Sequence, residues 1–132
     1  MITISGLTKT YGTNVVVDDF DMTAEAGEAV ALWGPNGAGK TTVIRCLLGL
    51  VSYEGDIEVA GLDARKRGKA VRSMIGYVPQ ELSFYDDMVV MDLLDYSASL
   101  RGVGPGRVDE VVSTIGLAEE FVYIMLGNVM FR

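Results

Sequence analysis

The residues Gly34-Pro35-Asn36-Gly37-Ala38-Gly39-Lys40-Thr41 follow the spacing G-x-x-x-x-G-K-[ST], which suits them to hold a polyphosphate. Glycines at 34, 37 and 39 let the chain turn tightly and bring backbone N–H groups up to phosphate oxygens, where a Cβ would obstruct the approach. A helix starting near Lys40 would add the positive end of its dipole, and the Lys40 ammonium would reach the outer phosphates. The Thr41 hydroxyl is suited to ligate Mg²⁺, and Thr42 to touch an inner phosphate. Asn36 and Ala38 complete the loop. This motif alone does not separate kinase, GTPase and ATPase chemistry.

Such a loop needs a strand before it and a helix after it, and the sequence offers both. Ala29-Val30-Ala31-Leu32-Trp33 is a short continuous apolar run of the kind found inside parallel sheets. After Thr41 the apolar residues Val43, Ile44, Leu47, Leu48 and Leu50 fall at helical spacing, with Gly49 as an expected end. Upstream, alternation over 1–7 and the β-branched stretch from Val15 to Thr23 predict two antiparallel strands joined by a turn at Tyr11-Gly12-Thr13-Asn14. Glu25-Ala26-Gly27-Glu28 reads as a turn. Further strands are expected at Ile57–Ala60, bracketed by Gly55 and Gly61, and at Met74–Val78 before Pro79.

The second half is helical in pattern. Asp86-Asp87 are expected to cap a helix with Met91, Leu94 and Ala98 on one face, widened by Leu93 and Leu100 and closed by Arg101-Gly102. After the breaker Gly104-Pro105-Gly106, residues Val108, Val111, Val112 and Ile115 predict another helix up to Gly116.

Composition narrows the chemistry further. The 132 residues suit one domain. Apolar residues at 49% and charged ones at 22% fit a globular chain. Eleven basic against 18 acidic residues, a net charge of −7, argue against a protein that neutralises nucleic-acid phosphates over a broad surface. Histidine is absent, which excludes a His base, a Ser/His triad and His-ligated metal from this chain. The single cysteine, Cys46, cannot form an internal disulfide and fits a reducing compartment. The first six residues lack the pattern of an export signal, and the apolar stretch 121–131, broken at Gly127-Asn128, is far short of the ~20 residues that cross a bilayer. Membrane association is therefore expected to come through a partner.

Several motifs in order resemble the nucleotide-binding subunit of ABC (ATP-binding cassette) transporters, from about residue 2 to about residue 120. They are Leu7-Thr8-Lys9-Thr10-Tyr11-Gly12, the stretch from Gly27-Glu28 through Thr42, Ile75-Gly76-Tyr77-Val78-Pro79-Gln80, and Phe84-Tyr85-Asp86-Asp87-Met88. The resemblance implies an α/β P-loop NTPase fold of the ABC ATPase type, truncated, with an antiparallel N-terminal β region and the start of a helical subdomain. It divides the chain into a β region plus phosphate-loop core at 1–80, helical subdomain at 81–120 and an atypical tail at 121–132. It implies that Tyr11 stacks on adenine, that Gln80 ligates Mg²⁺, and that ATP and Mg²⁺ are the ligands. The implied partners are a membrane permease and a second ATPase subunit, with no nucleic acid. The implied location is cytoplasmic, at the inner face of the membrane through the permease.

The family's later motifs do not occur in this sequence: a Walker B strand with its catalytic Glu, a switch His and a Leu-Ser-Gly-Gly-Gln-like signature. There is no His and no Gly-Gly pair. Two look-alikes, Val15-Val16-Val17-Asp18 and Met88-Val89-Val90-Met91-Asp92, lack the required context, so no residue is assigned as catalytic. The chain is expected to bind nucleotide at most, as an N-terminal fragment whose frame or gene breaks near residue 120. A nucleotide-binding module without transport or ATPase activity, or an inactive gene fragment, is the other reading.

Among the remaining features, Arg65, Lys66, Arg67, Lys69 and Arg72 form a basic cluster that reads as a solvated face in an acidic chain. Cys46 is expected to be a small buried hydrophobe and Trp33 a packing residue beside the loop.

Overall fold

The computed structural model describes residues 1–78, 89–104 and 106–115. They belong to two compact units, Met1–Gly76 and Tyr77–Arg132.

In the first unit, β1 (Ile2–Tyr11) and β2 (Asn14–Ala24) form the expected antiparallel hairpin, with Tyr11 paired to Asn14 across the turn. The outer side of β1 pairs antiparallel with β3 (Glu54–Val59), which turns back into the two-residue β4 (Leu62–Asp63), giving the order β2-β1-β3-β4. Ala60, expected at the end of the strand that starts at Ile57, instead lies in the turn after β3. Ala60 and Gly61 take φ of 49° and 75°, the positive values that a two-residue hairpin turn of type I′ requires at both positions. Where β1 and β3 slip register, Gly55 lies so close to the Gly6 carbonyl that a Cβ there would collide with it.

Helix α1 (Lys40–Leu47) follows the phosphate loop and ends at Gly49, whose φ is 66°. Its Val43 and Cys46 pack on Ile4, Leu7 and Val17 from the hairpin and on Ile57 and Val59 from β3. A short helix, α2 (Gly68–Ser73), inserts Val71 into the same core. The hydrophobic layer between the antiparallel sheet and α1 thus fixes where the loop starts its helix.

Two expected strands are not formed. Residues 29–33 and 74–78 are extended or irregular and pair with no strand among the described residues. A parallel-sheet strand has no hairpin partner of its own and depends on remote strands to satisfy its N–H and C=O groups. With no such strand among the described residues, Val30 is 45% exposed and Trp33 98% exposed, so Trp33 is not a packing residue.

The second unit contains α3 (Val90–Leu100) and α4 (Gly106–Ile115). Val89 occupies the N-cap of α3 and no side chain caps it. Asp86 and Asp87 lie outside the described residues, and the helix starts too far along the chain for either to be its N-cap. Leu100 is 69% exposed and does not widen the apolar face. The helix closes at Arg101-Gly102 as expected, and in α4 Val108 is buried. No helix among the described residues is long and apolar enough to cross a membrane.

Candidate functional site

Gly39 is the residue on which the loop's geometry turns. It sits at the N-cap of α1 with φ of 80°. A Cβ there would come within 2.6 Å of the Val16 carbonyl oxygen and 3.1 Å of Val17 Cγ2. The backbone of β2 therefore presses directly on the loop, and only glycine satisfies both the space and the left-handed conformation. The sequence pattern identified Gly39 but gave no sign that Val16 is its neighbour, because that contact is made by backbone.

The helix begins without side-chain help. No side chain caps α1 and no acid lies in its first turn. The Val43 N–H makes the bond to the Gly39 carbonyl at 2.9 Å. The amides of Lys40, Thr41 and Thr42 precede that bond, as the opening donors of a helix do, and with the dipole they favour an anion in front of the helix. Within the loop, Ala38 donates to the Pro35 carbonyl at 3.2 Å. Asn36, Gly37 and Thr41 are exposed, while Gly34 and Thr42 are half-buried.

The Lys40 side chain curls over the loop and donates to the carbonyls of Gly34 and Pro35, both at 2.8 Å. The ammonium thus lies across the turn, held by neutral acceptors. A polyphosphate, with its formal charge, is a stronger acceptor than a carbonyl and can draw the ammonium away. Gly34, Asn36, Gly37, Ala38, Gly39, Lys40, Thr41 and Thr42 lie on one continuous stretch, the loop and the first turn of α1.

Tyr11 ends β1, five residues along the hairpin from Val16, and is 44% exposed. One face of its ring is covered by the Lys9 ammonium, 4.7 Å from the centroid. Lys9 itself is 9% exposed and donates to Ser52 Oγ at 3.3 Å. Residues two apart on a strand share a face, so the alternation that buries Leu7 and Lys9 also sets Lys9 beside Tyr11. The sequence reading missed Lys9, whose chemistry is unremarkable until its burial is known.

Gln80, expected to ligate Mg²⁺ with Thr41, lies outside the described residues. Among the described residues no cluster of three or more His, Cys, Asp or Glu side chains could hold a metal. Asp18 is an exposed residue of β2, and Asp92 is in the first turn of α3. Cys46 is fully buried, and burial pushes its thiol pKa up against the opposing pull of the nearby Lys9 ammonium.

The sequence profile of the ABC transporter family matches residues 17–124. The chain belongs to the ABC transporter family. It is 40% identical over 106 residues to a probable multidrug ABC transporter ATP-binding protein, YbhF, of Escherichia coli, covering 78% of this chain and 18% of that one. A probable ABC transporter ATP-binding protein of Azorhizobium caulinodans is 41% identical over 119 residues, 88% of this chain and 42% of that one. The linearmycin resistance ATP-binding protein LnrL of Bacillus subtilis is 33% identical over 124 residues, 90% and 40% respectively. The chain therefore spans less than half the length of these relatives. A putative ABC transporter ATP-binding protein from Pyrococcus furiosus superposes with a TM-score of 0.75 at 26% identity, over 98% of this chain and 62% of that one. The fold is that of a P-loop ATPase of the ABC type, represented here by its antiparallel β region, phosphate loop and helices.

Proposed function

We propose that this chain binds the phosphates of ATP at residues 34–42 as part of the ATP-binding subunit of a transporter, the subunit that drives a membrane permease. The cradle of Gly39, pressed against Val16 with Lys40 held over the turn, carries this reading. ATP is the nucleotide because the relatives are named as ATP-binding proteins. Lys40 exchanges its bonds to the Gly34 and Pro35 carbonyls for bonds to phosphate oxygens, and the amides opening α1 hold the same group. Thr41, with Gln80, is assigned to Mg²⁺, which neutralises phosphate charge when bound. Tyr11 presents its ring face opposite Lys9 to the adenine.

This chain binds without turnover. No residue of the cradle can activate water, and the sequence contains no histidine. The organisation proposed is a β region with phosphate-loop core at 1–80, a helical subdomain at 81–120 and a tail at 121–132. Partnership with a permease and with a second ATPase subunit, at the inner face of the membrane, belongs to the longer subunit.

Equilibrium binding of Mg-ATP combined with single-turnover hydrolysis tests both parts. Binding that disappears in Lys40→Ala is expected, with no phosphate released. Unchanged affinity in that variant overturns the loop assignment, and phosphate release by the purified chain overturns the claim of binding alone.

A further inference from the structure

A second basic feature lies at the opposite end of the same helix. Beyond Gly49 at the C-terminus of α1, a cleft of about 560 Å³ opens between residues 49–53 and 64–72. Along the eight residues of α1 it is about 12 Å from the start of the helix, so it is separate from the phosphate loop. Its lining includes three cations, Arg65, Lys69 and Arg72, and no carboxylate.

The surrounding charges sharpen this. Asp56 is taken by Arg65 at 2.8 Å and Asp63 by Lys66 at 2.9 Å. Lys69 and Arg72 have no ion pair among the described residues. The Arg72 guanidinium is confined between two glycines: a Cβ on Gly68 would come within 3.0 Å of its Nη1, and one on Gly49 within 3.3 Å. That places it at the negative end of the α1 dipole, which orients the cation and offsets about half a charge at most. Arg65 also lies over the Tyr53 ring, 5.2 Å from its centroid. The Tyr53 hydroxyl is screened from solvent and has no hydrogen-bond partner among the described residues. Burial raises the pKa of Tyr53, which keeps this hydroxyl a protonated donor. Two cations without an ion pair among the described residues, Lys69 and Arg72, thus share one cleft, and an anion there would compensate them.

We infer that this cleft is a second anion site, built by Lys69 and Arg72 to take a phosphate-bearing ligand, either free or presented as a lipid headgroup. The cleft exceeds the needs of a single oxyanion and has room for a diphosphate or a headgroup. The net charge of −7 works against indiscriminate anion binding elsewhere on the chain, so an anion that binds here does so because of local arrangement.

The test uses the full chain carrying Lys40→Ala, which removes the ammonium of the phosphate loop. Inorganic pyrophosphate is titrated while amide resonances are followed, and flotation is measured with phosphatidylglycerol and phosphatidylcholine vesicles. Shifts at Gly49, Tyr53 and Gly68, with affinity about tenfold weaker in Lys69→Ala/Arg72→Gln, are expected for a free phosphoanion. Flotation with phosphatidylglycerol only, lost in the same variant, assigns the headgroup. Should Arg72→Gln unfold the chain, Lys69→Glu alone serves, because Lys69 is exposed and has no ion pair among the described residues. No response in either arm, or responses that persist in the variants, overturns the site. Loss of ATP binding in Lys40→Ala concerns only the loop and leaves this outcome separate.

Discussion

The Lys9 ammonium lies 4.7 Å from the centroid of the Tyr11 ring and is tethered from behind by Ser52 Oγ at 3.3 Å. A cation held over one face of an aromatic ring fixes that ring's orientation and leaves the opposite face as its open surface. The attraction contributes about 0.5–1 kcal/mol at such sites. Lys9→Met keeps the aliphatic stem and removes the charge, so the ring loses its clamp while the strand remains packed. ATP affinity is expected to fall roughly two- to fivefold, the equivalent of that energy, while affinity for inorganic tripolyphosphate does not change. Equal losses for both ligands, measured by calorimetry, would show that Lys9 acts on the loop and not through the ring.

Gly39→Ala should destabilise the chain by about 2 kcal/mol, because the new methyl group must both adopt a left-handed backbone and displace the Val16 carbonyl. Urea unfolding reads this directly. Gly37 provides the control: its φ is 88°, but nothing lies within 4 Å of a Cβ there. Gly37→Ala therefore meets only the conformational cost, and a loss equal to that of Gly39→Ala would remove the case for the Val16 contact.

How much of this was visible in the sequence depended on where each element finds its partners. The hairpin, the phosphate loop and α1 carry their own instructions: alternation, a turn, positioned glycines and a helical apolar face close upon each other within a short stretch of chain. Residues 29–33 and 74–78 have equally apolar sequences, but a strand of a parallel sheet depends on strands remote in the chain, and apolar composition cannot supply those. Strand β4 and helix α2 escaped notice because a two-residue strand and a six-residue helix are too short to show a period. At the site, the glycines and Lys40 were legible from type and spacing. The contact of Val16 with Gly39 and the burial of Lys9 were not, since both arise from packing between strands and helix.

Trp33 is the sole tryptophan and is 98% exposed, which makes it a clean reporter of the 29–33 segment. Its emission should match that of an indole in water and be fully quenchable by iodide. Trp33→Ser is expected to change stability by less than about 0.5 kcal/mol, as surface substitutions do. Blue-shifted, protected emission in the isolated chain would mean that this segment has found a covering surface.

Cys46 is the sole thiol, fully buried, with its pKa raised. Both effects suppress thiolate attack. A disulfide reagent should leave the native chain unmodified and label it at the rate of global opening once urea is added. Rapid labelling of the native chain would contradict the packing of α1 on the sheet.

Asp63 gives the acid limb of stability a defined cause. Its carboxylate accepts the backbone N–H groups of Arg65 at 2.8 Å and Lys66 at 3.1 Å, and pairs with the Lys66 ammonium at 2.9 Å. The Lys66 side chain is the largest influence, and together these bonds lower the pKa from 3.8 to about 2. Because the folded value lies below the unfolded one, the contribution is complete above about pH 4 and is lost as pH falls toward 2. The partner Lys66 shifts the opposite way, its pKa raised by the same contact, so its share is present below the unfolded value of 10.5 and disappears as pH rises through the higher folded value. An NMR titration should find Asp63 ionised well below pH 3.8. In Lys66→Met its midpoint should move up only part of the way, because the two amides remain as donors. A complete return to 3.8 in that variant would assign the whole effect to the ammonium and none to the turn that leads into α2.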